Sequence, residues 1–482
     1  MSARKFLNDA SIYLFGQLLN RGIGFFLLPL YTRYLTTSDY GILSVAGTLS
    51  LIFGMLAGLS LDASLYILYF KLSEDDFKSL LLHVWMVLLF FPLLILGLLE
   101  IAGASGAANI FPDVPWSPYL RLAAWIAYLQ LFSTVLINVY RAKQQALNST
   151  LVSVIMFVLQ TLFIMYFVII RQGGAEGSLQ GQFISMAIIA ICSNIILLRW
   201  TRPWKFSKAG RENLRVAFFL AIGYLPHIFS MWLLNVSDRW ILATYSIAIS
   251  EIGIYSLAFT IGSLVLLGGT SMISAYAPIY FKNAGDPKFR GTLQKLLAGY
   301  VTIHTITALA ISLFAVELLR IMTTSGFHQA AFYVPFIALG YWFSVAIYQV
   351  CLTVIENAQR TKLIPLLTVP PAIFSIVSNL LFVPKYGILA TAVNILIVYC
   401  MMAVLSVIVS RRIDRLPFSW LKIAQIFTIG IMTFWVGNEF LSFDSFFLAI
   451  AAKAALFGIA AFLMFTISGF RISDAKRLLK PA

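Results

Sequence analysis

Runs of mostly apolar residues recur along the whole chain, separated by short breaks marked by charge, glycine or proline. A helix needs about 20 such residues to cross a bilayer. Fourteen runs qualify, at residues 10–32, 41–62, 80–103, 119–140, 149–170, 179–198, 220–244, 253–276, 296–320, 331–353, 363–383, 387–409, 421–438 and 445–469. The predicted fold is therefore all-α, a polytopic membrane protein. The first run follows Arg4 and Lys5, lacks a small-residue cleavage site and contains Asn20 and Arg21, so it is expected to stay on the chain as an anchor.

Composition agrees with this pattern. Of the 482 residues, 60% are hydrophobic and only 11% charged, whereas soluble domains carry roughly a quarter of their residues as charges. Soluble globules, disordered chains, collagen and disulfide scaffolds are excluded on that ground. The net charge of +15 could suggest nucleic acid, but its placement says otherwise. When the breaks are assigned alternately to two sides, 26 of the 34 Lys and Arg fall on the side of the N-terminus. Basic short loops stay cytoplasmic, so both termini are expected inside, and no nucleic-acid partner is expected. The longest such loop, Arg199 to Arg215 and a little beyond, is too short for a folded soluble domain.

Motifs for catalysis are missing. No GxxxxGK[ST] phosphate loop, HExxH or GxSxG occurs, and Cys192, Cys351 and Cys400 sit inside apolar runs without CxxC spacing. His83, His227, His304 and His328 are scattered without ligand spacing. No metal, cofactor or enzymatic activity is expected. A membrane glycan polymerase would need a substantial outer loop, yet the largest outer segment, Ala104 to Pro118, carries one charge, Asp113.

Runs one and seven both start from the cytoplasm, which fits two parallel six-helix repeats about an axis along the membrane normal. Gly41, Ser44, Ala46 and Thr48, at the start of run two, recur 212 residues later as Gly253, Ser256, Ala258 and Thr260. The expected organisation is a six-helix lobe over 1–198, a basic cytoplasmic linker over 199–219, a second lobe over 220–410, and two additional helices with a cytoplasmic tail over 411–482. Gly54-Met-Leu-Ala-Gly58 is a GxxxG pattern that permits close helix packing.

Charges inside a bilayer cost roughly 2.5–3.5 kcal/mol, so they face a cavity or a partner. Arg21 lies about 16 Å into run one, too deep to reach the interface easily, with the Asn20 amide beside it. Asp238 and Arg239 stand together in run seven. Adjacent helical residues diverge by about 100°, so the two are expected to be poor partners for each other. Lys453 in run fourteen is read either as snorkelling outward or as functional, while Asp62 and Glu317 lie near run ends, where solvation accounts for them. The deep set is net positive, which favours an anionic substrate such as a phosphate or diphosphate.

Fourteen runs, Tyr13…Gly16…Asn20-Arg21, then Arg33-Tyr34-Leu35-Thr-Thr-Ser-Asp39-Tyr40-Gly41, Asp238-Arg239…Gly253-Ile-Tyr255-Ser and Asn379-Leu-Leu-Phe-Val-Pro384-Lys-Tyr-Gly387, resemble in order and spacing the bacterial polysaccharide flippases. These are the O-antigen and exopolysaccharide unit translocases of the multidrug/oligosaccharidyl-lipid/polysaccharide (MOP) exporter superfamily. The resemblance implies two lobes that alternate access across the bacterial inner membrane. It implies a substrate that is an undecaprenyl-diphosphate-linked oligosaccharide, moved to the periplasmic leaflet for surface polysaccharide or lipopolysaccharide assembly. It places Asn20, Arg21, Arg239 and Lys453 at the substrate, and gives Asp238 an ion-coupling or structural role. In related lipid II flippases the last two helices form a groove for the lipid tail. Implied partners are the lipid-linked substrate, membrane lipid, H⁺ or Na⁺, and a polysaccharide polymerase that removes product outside. The chain departs from relatives that carry an arginine after run two, having Asp62-Ala-Ser-Leu there. A cation-coupled drug exporter of the same superfamily is the main alternative, and a membrane glycan polymerase a lesser one.

Overall fold

The computed structural model describes residues 28–284, 286, 289–441, 443 and 445–470. Among them there is no strand, and twelve helices are long and apolar enough to cross a membrane. This is a multi-pass membrane protein. Of the fourteen expected spans, the first lies mostly outside the described residues. The seventh falls on a 37-residue helix, Lys208–Thr244, that is not among the twelve.

Two compact units divide the chain, Met1–Gly253 and Ile254–Ala482. In the first, the described helices are α1 (Leu28–Tyr34), α2 (Thr37–Gly58), α3 (Leu61–Tyr69), α4 (Glu74–Ile110), α5 (Arg121–Ala142), α6 (Ala146–Met165), α7 (Gly174–Trp200) and α8 (Lys208–Thr244). Helix α9 (Ile249–Gly262) starts in this unit and continues into the next. The second unit holds α10 (Val265–Asn283), α11 (Phe289–Leu313), α12 (Ala315–Met322), α13 (Val334–Phe343), α14 (Gln349–Asn357), α15 (Ile364–Tyr386), α16 (Ile388–Ser410), α17 (Trp420–Phe440) and α18 (Phe446–Ser468).

Polar residues of the sequence motifs set the helix ends. Thr36 and Asp39 form a capping box: the Asp39 backbone N–H donates to Thr36 Oγ1 at 3.1 Å, and Asp39 Oδ2 accepts from the Thr36 N–H at 2.9 Å. The other Asp39 oxygen accepts from the Ala175 N–H at 3.0 Å, tying the start of α2 to the start of α7. Helix α2 stops where Leu59 and Ser60 both turn left-handed, near the end of the second expected span, and the short helix α3 follows it. Gly387 closes α15 with φ +55° and donates its N–H to Val383 O at 2.8 Å. That is a backbone region an L side chain rarely adopts.

In the first unit α8 packs on α4, α3 and α2, and α5 packs on α7, α6 and α2. Leu80, Leu81, Val84, Ala124, Leu136 and Ala217 share one buried apolar cluster, and Ser64 Oγ donates to Ala217 O at 2.9 Å. The repeated glycines meet here. A methyl on Gly41 would overlap the Ile249 carbonyl oxygen, and one on Gly253 would overlap the Thr37 carbonyl oxygen. The GxxxG pattern plays no such part: a methyl on Gly54 meets nothing within 4 Å, and one on Gly58 meets only the Leu131 side chain at 3.0 Å. In the second unit α16 packs on α15 and α13, while α11, α17 and α18 pack together around Leu309, Leu313, Ile426, Ala460 and Met464.

Candidate functional site

The deep charges expected from the sequence have three different outcomes. Asn20 and Arg21 lie outside the described residues. Asp238 and Arg239, expected to be poor partners, form a buried ion pair with Arg239 Nη1 2.9 Å from Asp238 Oδ1. Both are nearly inaccessible, at 5% and 7% exposure. The 100° argument fails because it considers only the Cα–Cβ directions. The Asp238 carboxylate folds back to accept the Arg239 backbone N–H at 2.8 Å, and the long Arg239 chain runs toward the helix start, where Nη1 also donates to Asn235 O at 3.0 Å. Arg239 Nε donates to Ser44 Oγ at 3.3 Å, so this pair also links α8 to α2 at one of the repeated motif positions.

Glu317, expected to be solvated near a run end, requires a second correction, and Lys453, expected either to snorkel outward or to be functional, does not reach water. Neither is solvated at a helix end. Glu317 is 6% and Lys453 2% exposed, and Lys453 Nζ lies 2.7 Å from Glu317 Oε1. The ammonium's other two donors face Asn438 Oδ1 and Leu313 O, each at 3.4 Å. An ammonium has three N–H groups and no acceptor, so this one is fully engaged within its own unit. Glu317 Oε2 is buried without a hydrogen-bond partner among the described residues. Asp62 is likewise held, its Oδ2 accepting from Asn138 Nδ2 at 2.8 Å.

The Lys453–Glu317 pair stands on the wall of a cavity of about 1130 Å³, formed within the second unit by α11, α12, α13, α17, α18 and the turn Ser325–Phe332. Leu309, Leu339, Trp342, Phe427, Ile431 and Phe434 give it an apolar stretch. Glu317, Arg320, His328, Asn438, Glu439 and Lys453 give it a polar one. The two are displaced along the helices. On α17, Phe427 in the apolar stretch and Asn438 in the polar one are about 17 Å apart at 1.5 Å per residue. Trp342 Nε1 donates to Thr305 Oγ1 at 2.9 Å, and its ring stands 4.9 Å from that of Phe427, which fixes one side of the apolar stretch. The space is chemically amphipathic, with room for a chain at one end and polar groups at the other.

Lys453 is legible in the sequence as a deep charge, but its partner Glu317 and the cavity residues His328, Asn438 and Glu439 are not. The signal for Glu317 was weak: an acid three residues before Arg320 at the edge of an apolar run reads as a solvated end. Asn438 and Lys453 come from different spans, and nothing in their spacing shows that they converge. Among the described residues no cluster of His, Cys, Asp or Glu could hold a metal ion.

The profile of a family described as "Polysaccharide biosynthesis protein" matches residues 6–284. The fold is similar to that of a lipid II flippase MurJ in an inward closed conformation, with TM-score 0.71 and 15% identity over 94% of this chain and 98% of that one. It is also similar to an inward-facing multidrug resistance MATE family transporter of the MOP superfamily, with TM-score 0.60 and 15% identity over 84% and 98% of the two chains. A further MATE structure, in the straight conformation, gives TM-score 0.52 and 16% identity over 86% and 96%. No curated protein matches the sequence. At these identities the structural likeness shows the fold.

Proposed function

The chain belongs to the polysaccharide biosynthesis protein family, and on that premise we propose that it is an exporter of the MOP superfamily that flips a lipid-linked oligosaccharide unit. The substrate is an undecaprenyl-diphosphate-linked repeat unit, moved from the cytoplasmic to the periplasmic leaflet of a bacterial inner membrane with both termini inside. The observation that supports this reading is the amphipathic cavity of about 1130 Å³ bounded by the last two helices. Its apolar stretch suits a prenyl tail, and its polar stretch suits the beginning of a head group.

The mechanism requires differential binding alone. A hydrated head group is rejected by the bilayer core, so a polar path inside the protein lowers the barrier while the tail stays in an apolar one. Alternation between two arrangements of the pseudo-repeats changes which leaflet the head group meets. The pseudo-repeats proposed here are the lobes 1–198 and 220–410, joined by the linker 199–219 and followed by the two additional helices and tail of 411–482. Helix α8 packs on α4, α3 and α2 of the first unit. Asn20, Arg21 and Arg239 are proposed for the diphosphate path, and Asp238 for holding Arg239. Lys453 belongs to the cavity but reaches a substrate oxygen only by exchanging one of its present acceptors. The net cationic character inferred from the sequence is therefore weaker at this end than a count of charges implies. The driving force is H⁺ or Na⁺ exchange, or removal of product by a polymerase outside.

Loss of the protein tests this directly. In a deletion strain, lipid-linked glycan is expected to accumulate on the cytoplasmic leaflet with ethidium accumulation unchanged. Glycan reaching the outer leaflet normally would overturn the proposal. The MATE-like fold supports one second reading, a cation-coupled drug exporter. Ethidium retained by the deletion strain, and efflux abolished by Asp238→Asn, would favour that reading instead.

A further inference from the structure

The loop between α7 and α8 is basic in sequence, and in the structure it is tied to α4 and to both flanking helices. Ser79 on α4 is its anchor: Ser79 Oγ donates to Lys205 O at 3.1 Å and accepts from the Ser207 N–H at 3.1 Å. Ser207 then caps α8, its Oγ accepting from the Gly210 N–H at 2.9 Å. A methyl on Gly210 would overlap Ser79 Oγ, so the start of α8 sits directly on α4. Phe206 packs edge-on against His83, with centroids 5.1 Å apart, and Trp204 Nε1 donates to Leu198 O at 2.8 Å.

This frame displays Arg199, Arg202, Lys205, Lys208, Arg211 and Arg215, all exposed and, among the described residues, without an ion pair. Glu212 is the one acid between Arg199 and Arg215. Two large aromatics stand among the cations, Trp204 at 52% and Phe206 at 59% exposure, with the Arg202 guanidinium 5.4 Å from the Trp204 ring centroid. Further along α8 the exposed face turns apolar at Val216, Phe219 and Ile222, and the Arg215 guanidinium lies 5.8 Å from the Phe219 ring centroid. One surface thus passes from exposed cations through aromatics to exposed aliphatic side chains within about three turns of helix. Water alone would not favour the aromatic and aliphatic part, and a soluble polyanion would meet only the cations. A bilayer interface matches the whole sequence of groups.

We propose that this platform is a binding surface for the phosphate head groups of bulk anionic phospholipids in the leaflet it abuts. Six cations spread over the end of α7, the loop and the first turns of α8 exceed what one diphosphate head group neutralises, so a leaflet of many phosphates is the fitting occupant. The proposal is independent of the flippase reading, because it concerns resident lipid and its test involves no transport.

The full-length protein is reconstituted into nanodiscs of mixed phosphatidylcholine and phosphatidylglycerol, and the lipids it retains are counted by native mass spectrometry. The wild type is expected to retain phosphatidylglycerol over phosphatidylcholine by about ten-fold or more. The quadruple variant Arg202→Gln, Lys205→Gln, Lys208→Gln, Arg211→Gln is expected to reduce that preference to near unity. Removing basic residues can itself alter membrane orientation, so a second variant, Trp204→Ser with Phe206→Ser, keeps every charge. It is expected to lower retention several-fold while its unfolding temperature in phosphatidylcholine stays at the wild-type value. No preference in the wild type, or a preference that survives in both variants, would overturn the proposal.

Discussion

Lys453 Nζ on α18 lies 2.7 Å from Glu317 Oε1 on α12, across 136 residues of sequence, and the two charges are almost wholly sealed from water. In a membrane chain this pairing offsets part of the cost that either charge would carry alone. It also leaves the cavity wall with a neutral pair and one spare carboxylate oxygen, in place of a free cation.

Breaking that pair from one side is expected to be worse than removing it. Lys453→Met or Glu317→Leu alone should lower stability by about 3–5 kcal/mol, because each leaves a buried charge unpaired. The double variant should recover most of the loss. A double-mutant cycle in detergent, read as unfolding midpoints, checks this, and simple additivity of the two losses would refute it.

The Gly41–Gly253 crossing makes a second expectation. A methyl at either position overlaps a backbone carbonyl oxygen, which no rotamer change relieves. Gly41→Ala and Gly253→Ala should each cost about 1–3 kcal/mol. Gly47→Ala and Gly54→Ala lie on the same helix as Gly41 with nothing within 4 Å, so they should be neutral or stabilise by about 0.5–1 kcal/mol. Thermal unfolding of the four variants side by side decides the matter.

Arg239 should not tolerate lysine. Its Nε bonds Ser44 while its Nη1 bonds both Asp238 and Asn235 O, and a single ammonium on a shorter, unforked head cannot reproduce both directions. Arg239→Lys is expected to lose about 1.5–3 kcal/mol, the usual range for a charged hydrogen bond, and to reduce surface polysaccharide. Wild-type stability together with wild-type polysaccharide in this variant would remove Arg239 from both roles.

Filling the cavity should affect transport more than folding. Ala308 lines the apolar stretch, and Ala308→Phe places a ring where a prenyl chain is proposed to lie. Displacing two or three methylenes, at about 0.8 kcal/mol each, weakens substrate binding by roughly ten- to fifty-fold. Export of lipid-linked glycan, measured by leaflet sidedness, is expected to fall accordingly while the unfolding temperature shifts little. Undiminished export would exclude this cavity from the path.

How much was legible in advance follows from the physics of each feature. Hydropathy adds up residue by residue along a helix, so the transmembrane segments could be read directly, and twelve long apolar helices stand where runs of the sequence placed them. The motif Thr36-Thr-Ser-Asp39 is local as well, and its capping box needs no distant partner for its basic form. The repeat of Gly41 as Gly253 was visible, but not that the two glycines meet, because a crossing depends on how helices lie in three dimensions. The same limit hid the partner of Lys453. Its acid lies 136 residues away, beyond any helical spacing rule. Asp238 and Arg239 failed in the opposite way: the rule for neighbouring positions describes Cβ directions, while the bond is made by the far end of a flexible side chain curling back along its own helix. The sequence by itself determined which segments enter the membrane, because transfer from water to lipid is a sum over single residues. Only the tertiary structure decided which charges meet and where a cavity opens, because those depend on pairs of groups brought together by packing.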